Sequence, residues 1–139
     1  MDDVITDLAE IERLADAQRD GDFGFRDFLK HRLRWSDRKL DSVVHEILRS
    51  VSSRIDCTQC ANCCREMTPC LDGDDIARLA RRLGMSADAF ESVYVSRSEW
   101  GDQSITQMPC PFLEDGLCTV YEDRPSDCRS FPHLHKEDI

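Results

Sequence analysis

The chain is predicted to be mainly α-helical, a small irregular helical domain with a short β-hairpin, organised around a cysteine-ligated metal centre. Three observations lead there. Apolar residues recur at helical spacing in several stretches, one Asp-Gly turn signal sits between two short apolar runs, and eight cysteines stand against four histidines. At 139 residues the chain is long enough for one domain with an appended subdomain. Its 40% hydrophobic and 33% charged content is that of a globular chain rather than a disordered one.

Charge and hydropathy exclude several classes of partner. The net charge is −10 at pH 7 and the isoelectric point is near 4.7, so nucleic acid and anionic membrane surfaces would repel this protein. No apolar run approaches the roughly 18 residues of a membrane span. Met1-Asp2-Asp3-Val4 lacks the basic stretch that precedes the apolar core of a secretion signal. The expected location is therefore the cytoplasm, where clustered cysteines mark metal or catalysis rather than disulfides.

The cysteines divide the chain. None precedes Cys57, five lie from Cys57 to Cys70, and three follow at Cys110, Cys118 and Cys128. Residues 1–56 form the expected N-terminal helical segment and residues 57–139 the cysteine-rich metal-binding domain.

Within the first segment, Val4, Leu8, Ile11 and Leu14 set a helical stripe. Gly21-Asp22-Phe23-Gly24 is expected to break it. A second helix from Phe25 to Trp35 would turn Phe28, Leu29 and Leu33 inward. Ser36 suits the N-cap of a third helix, whose stripe of Leu40, Val43, Val44, Ile47, Leu48, Val51 and Ile55 is the clearest in the chain. His31 and His45 lie far from any cysteine and are read as surface or packing residues. Trp35 reads as a core anchor.

The second segment opens on Cys57-Thr58-Gln59-Cys60-Ala61-Asn62-Cys63-Cys64. Two residues between cysteines let the backbone turn so that both sulfurs reach one ion. The extended spacing C-x-x-C-x-x-C brings three thiolates to one centre, as in the start of a ferredoxin-like run. The adjacent Cys63 and Cys64 are unusual. One would ligate while the other faces a second metal, acts as a redox partner or packs. Asp72-Gly73-Asp74-Asp75 followed by Ile76, Leu79, Ala80 and Leu83 reads as a helix with acid at its N-terminus, ending at Gly84. Helix capping is preferred there to a hard-cation site. Ser86 caps a further helix through Phe90 and Val93. Residues 94–109 carry little signal and read as loop. Asp115-Gly116 then folds Cys110 and Cys118 towards each other in a hairpin. Pro125 suits the first position of a helical turn that presents Cys128 back to the metal.

The pattern Cys57-x-x-Cys60-x-x-Cys63-Cys64, Cys110-Pro111-Phe112-Leu113, Gly116-Leu117-Cys118 and Tyr121-x-x-Arg124-Pro125-x-x-Cys128-Arg129-x-Phe131-Pro132 resembles the CxxCxxCC zinc- or iron-chelating family. That family is grouped with the flagellin lysine N-methylases. The resemblance covers about residues 57–132 and implies seven metal-ligand positions: Cys57, Cys60, Cys63, Cys64, Cys110, Cys118 and Cys128. Cys70 is additional to that pattern. Ala61 stands where the family commonly has glycine, and His133 and His135 are set aside as ligands.

All-thiolate surroundings suit zinc and iron–sulfur alike. Three cysteines at x-x spacing with a distant fourth favour a [4Fe–4S] cluster, and the relation to the methylases implies the same. Zinc between Cys57/Cys60 and Cys110/Cys118 is the alternative. Two functions follow: a redox, structural or partner-docking metal module, or an enzyme resembling the lysine methylases. Against the enzyme, no glycine-rich dinucleotide loop is visible. Arg124 and Arg129 are expected to pair with Glu122, Asp123, Asp127 or sulfur rather than with an anionic substrate. A lysine-rich protein would suit the acidic surface. Oligomeric state is not readable from the residues.

Overall fold

The computed structural model describes residues 4–135; the reading of Met1-Asp2-Asp3 and the end of the 57–139 segment fall outside them. The described residues divide into two compact units, Asp56–His133 and the remainder. No helix among them is long and apolar enough to cross a membrane.

The N-terminal unit consists of α1 (Leu8–His31) and α2 (Asp37–Ser52). Asp7 caps α1 by accepting a hydrogen bond from the Glu10 backbone N–H at 2.8 Å. The expected break at Gly21–Gly24 does not occur, and α1 runs through both glycines to His31. A mid-helix glycine costs only about 1 kcal/mol, less than the hydrogen bonds of two further turns return. Trp35 lies outside any helix and is half-exposed rather than buried, with the Lys39 ammonium 4.3 Å from its ring centroid. Ser36 caps α2 as expected, its hydroxyl accepting from the Lys39 N–H. Among the described residues of this unit, no apolar one is fully buried.

The core lies in the second unit. α5 (Gly73–Arg82) and α6 (Ala87–Tyr94) pack together, and their inward residues Ile76, Leu79, Ala80 and Phe90 meet Leu71, Ile105, Phe112 and Val120. Phe90, Tyr94 and Phe112 form an aromatic cluster with centroids 5.1–6.3 Å apart. The region expected as loop contains a hairpin instead: β1 (Val95–Arg97) pairs antiparallel with β2 (Gln103–Ile105). Alternation is too short there to be seen in sequence, and the buried Ile105 is what fastens it to the core. Cys70 joins this sheet through a bridge to Ser104.

Before the core come two short helices, α3 (Cys57–Cys60) and α4 (Asn62–Glu66). After it come β3 (Leu113–Glu114), β4 (Leu117–Cys118), a 3-10 turn (Tyr121–Asp123) and α7 (Ser126–Ser130). The expected hairpin is present, with Leu113 opposite Cys118 and positive φ at Asp115 (48°) and Gly116 (78°), the signature of a two-residue primed turn. Pro125 sits one residue earlier than expected, at the N-cap of α7.

Candidate metal centre

The first cysteines are placed by a knuckle of two helical turns. The Asp56 carboxylate accepts from the N–H and hydroxyl of Thr58 and caps α3. Ala61 then takes a left-handed conformation, φ 53°, and starts α4 at a new angle. This is the position where glycine is expected, because a Cβ in that region costs about 1–2 kcal/mol. The Cys60 carbonyl accepts from the Arg65 guanidinium at 3.1 Å, which ties the two turns together.

The hairpin cysteines are brought to this knuckle by the backbone. The Cys110 N–H donates to the Cys64 carbonyl at 2.7 Å. The Thr119 N–H donates to the Phe112 carbonyl at 2.8 Å, which holds the hairpin closed. α3 packs against β4, so the knuckle and the hairpin are neighbours.

Cys128 is positioned by a web of guanidinium groups. Arg124 lies over the Tyr121 ring, 4.0 Å from its centroid, and donates to the Tyr121 carbonyl at 2.7 Å. Arg129 donates to the carbonyls of Arg124 and Glu122. Arg78 of α5 donates to the carbonyls of Asp123 (3.3 Å) and Arg124 (3.2 Å). Arg124 and Arg129 are thus structural, as expected, but their partners are backbone carbonyls rather than carboxylates or sulfur. The reason is geometric: a 3-10 turn followed by a proline leaves several carbonyls without N–H partners, and guanidinium forks supply them.

Sequence reasoning placed Asp75 in a helix-capping cluster, which is present, but missed its tie to Ser126 and the role of Arg78. Asp75 is 1% exposed. It completes a capping box with Asp72, receives the Arg78 guanidinium, and accepts from both the N–H and the hydroxyl of Ser126 at 3.0 Å. The i, i+3 spacing of Asp72, Asp75 and Arg78 was the available signal. Only the fold shows that its far end holds α7.

All eight cysteines are free thiols. Burial pushes the Cys64 thiol up to about 11, with Cys110, Cys118 and Cys63 adding to it. Cys128, although exposed as a residue, has a crowded thiol pushed up to about 12, by burial first and then by Cys110, Cys64, Cys118 and Asp127. Cys110 is raised by burial and by Cys118. Cys63 answers to a different set: burial raises it, then Cys60 and Cys57. Cys63 has the knuckle thiols for neighbours and Cys64 the hairpin thiols, and Cys63 and Cys64 also act on one another, so the two groups adjoin.

Cys70 belongs to neither. Its thiol is raised by partial burial and then by Asp127 and Asp102. Its backbone N–H donates to the Asp127 carboxylate at 2.9 Å. His133 is occupied locally, with Nδ1 3.1 Å from the Ser130 hydroxyl and Nε2 4.0 Å from Asp127.

The donor chemistry fits a soft or borderline cation such as zinc, or an iron–sulfur cluster, because the crowded groups are thiols. Among the described residues no three His, Cys, Asp or Glu side chains are disposed to hold an ion as they stand, so closing a site requires the thiols to draw together. Two shallow grooves along α1, lined in part by Phe23 and Arg26, touch no cysteine.

The CxxCxxCC zinc- or iron-chelating domain matches residues 56–139, more than half of the chain. No curated protein and no solved structure matches it.

Proposed function

The chain belongs to the CxxCxxCC family of zinc- or iron-chelating domains, and from that premise we propose that Cys57, Cys60, Cys63, Cys64, Cys110, Cys118 and Cys128 hold its metal, with an iron–sulfur centre favoured over zinc. The observation that carries this reading is that the Cys110 N–H donates to the Cys64 carbonyl at 2.7 Å and α3 packs against β4, which brings the cysteines of the knuckle and of the hairpin into one region. Burial first, and neighbouring thiols after it, oppose ionisation at Cys64, Cys110 and Cys128 and raise their pKa values. A cation reverses that sign: it stabilises the thiolates and releases their protons. Such a cluster with no cation would be a standing cost, and the chain spends three arginines and a buried aspartate on holding it in place.

The module acts in electron transfer, redox sensing or docking of a protein partner in the cytoplasm. When bound, the metal supplies a redox couple if it is iron–sulfur and a structural cross-link if it is zinc. The residues around it fix thiol positions: Asp56 and Ala61 shape the knuckle, Cys64 seats the hairpin, and Asp75, Arg78, Arg124 and Arg129 seat α7. Methyl transfer to protein lysine, the activity of the related methylases, draws no support from these residues. The two arginines an anionic substrate would need are engaged with carbonyls.

Purification without oxygen tests the reading. A brown protein with broad absorption near about 400 nm, together with iron and sulfide in its analysis, supports iron–sulfur. A colourless protein containing zinc corrects the metal and keeps the chelation. A colourless protein free of both overturns it.

A further inference from the structure

The continuity of α1 through Gly21 and Gly24 joins apolar residues that a break would have separated. At about 100° of rotation per residue, Ile11, Leu14, Phe25, Phe28 and Leu29 fall within one stripe roughly 100° wide. None of them is fully buried. Leu14 and Leu29 are half-buried, whereas Ile11 is 41%, Phe25 60% and Phe28 42% exposed. Phe25 and Phe28 stack on each other with ring centroids 6.4 Å apart. A helix with two internal glycines draws its stability from packing of such a stripe rather than from propensity. From Asp7 to Arg32 the stripe advances in alternating steps of four and three residues, the a and d positions of a heptad. The order of steps is the same read from either end. Charge is divided along the same helix. From Asp7 to Asp22 six residues are acidic and two basic, and from Phe23 to Arg34 four are basic and one acidic.

We propose that the apolar stripe of α1 is covered by α1 of a second copy of this chain, laid antiparallel about a two-fold axis near Arg19 and Asp20. The palindromic spacing then sets Ile11 against Phe28 and Leu14 against Phe25 of the other copy, each pair occurring twice. Gln18 meets Gly21 in the middle, the long side chain opposite the short one. Asp7 meets Arg32 at both ends. Charge selects this orientation, because the acidic half of each helix lies along the basic half of the other. A parallel pair would set acid on acid and base on base. The pairing draws on no cysteine and stands independently of the chelation reading.

Sedimentation equilibrium of the full-length chain as purified tests this, with far-UV circular dichroism and metal content recorded for every variant. The wild-type chain is expected to be a dimer at micromolar concentration. Phe25→Ala and Ile11→Ala should each weaken the dimer about a hundredfold, since each removes two buried apolar side chains. Phe23→Ala is the control: Phe23 is 61% exposed, like Phe25, but lies nearly opposite the stripe, and its loss should leave the dimer intact. Asp7→Lys and Arg32→Glu set like charges at both ends and should each weaken the dimer about tenfold. An equimolar mixture of the two should regain wild-type affinity, a recovery that damage to the helix would not produce. If Phe25→Ala or Ile11→Ala loses helicity, the charge variants decide. A monomeric wild-type chain overturns the pairing, as does a dimer that Phe23→Ala weakens as much as Phe25→Ala. A dimer indifferent to both Asp7→Lys and Arg32→Glu overturns the antiparallel arrangement. Metal content unchanged across the set separates any of these failures from failure of the chelation reading.

Discussion

Asp75 and Ser126 lie 51 residues apart and meet through two hydrogen bonds, the Ser126 backbone N–H and hydroxyl both donating to Oδ1 of Asp75 at 3.0 Å. Through that contact the N-terminus of α5 holds the N-terminus of α7, two residues before Cys128. The same carboxylate receives the Arg78 guanidinium, which reaches on to the carbonyls of Asp123 and Arg124. A thiol of the candidate centre is thus fixed by a carboxylate that carries no ligand role of its own.

Asp75→Ala is expected to cost about 3 kcal/mol, the scale of breaking a buried ion pair from one side. It should also lower metal affinity by freeing Cys128. Urea unfolding and metal content measure the two effects, and a loss of stability below about 0.5 kcal/mol would contradict the role assigned here.

The same carboxylate contributes to acid stability. Burial alone would raise it, but Arg78, Ser126 and the Asp72 N–H outweigh burial and hold it below its ordinary value of 3.8. A group with a lowered folded pKa stabilises the protein above its unfolded pKa and loses that contribution as pH falls through the folded value. Stability is therefore expected to decline below about pH 4, with a shallower decline in Asp75→Ala. Equal acid limbs in the two proteins would remove Asp75 from the account.

Much of this arrangement was legible in the sequence, and the failures have physical causes. Caps at Ser36, Asp72 and Ser86 and the Asp115-Gly116 turn are local chemistry, readable within four residues, and all are present. The break at Gly21–Gly24 was misread because glycine weakens a helix without ending it. The β1–β2 hairpin was missed because three-residue strands show no period. The roles of Asp75 and Arg78 depend on contacts some 45–51 residues away, which no local pattern contains.

Gly21→Ala and Gly24→Ala are each expected to stabilise α1 by about 0.5–1 kcal/mol. An added Cβ meets nothing within 4 Å at either position, and neither has positive φ. Increased helicity on thermal melting by circular dichroism is the readout. Loss of helicity in both would mean that the chain turns at these glycines.

Phe90→Ala should cost about 3–5 kcal/mol. Phe90 is fully buried and packs on Tyr94 and Phe112, so its loss opens a cavity between α6 and the segment that leads into the hairpin. Denaturant unfolding gives the magnitude, and a cost under about 1 kcal/mol would show that the core closes over the gap.

Chelation of the metal is expected to remove much of the second unit's stability. Its core contains eight buried apolar residues, a small store for a unit that extends from Asp56 to His133. The knuckle and hairpin outside that core are held chiefly by short backbone contacts. Strong chelator should lower the melting temperature and weaken the near-ultraviolet dichroism of the aromatic cluster. An unchanged cooperative transition after complete metal removal would show that the fold stands without it.

Cys70→Ser should leave metal content unchanged, whereas Cys128→Ser should reduce it. The thiol of Cys70 faces Asp127 and Asp102, not other thiols, and carboxylates there repel a thiolate. Its structural tie to α7 is the backbone N–H given to Asp127, and its tie to the sheet is the bridge to Ser104. A serine at this position retains both, so the substitution tests the sulfur alone. Cys128 differs in each respect: its sulfur lies among Cys64, Cys110 and Cys118, and its backbone is already held by the Arg124–Arg129 web. Metal analysis of the two purified variants decides the matter. Equal loss from both would place Cys70 among the ligands and make eight cysteines, not seven, the chelating set.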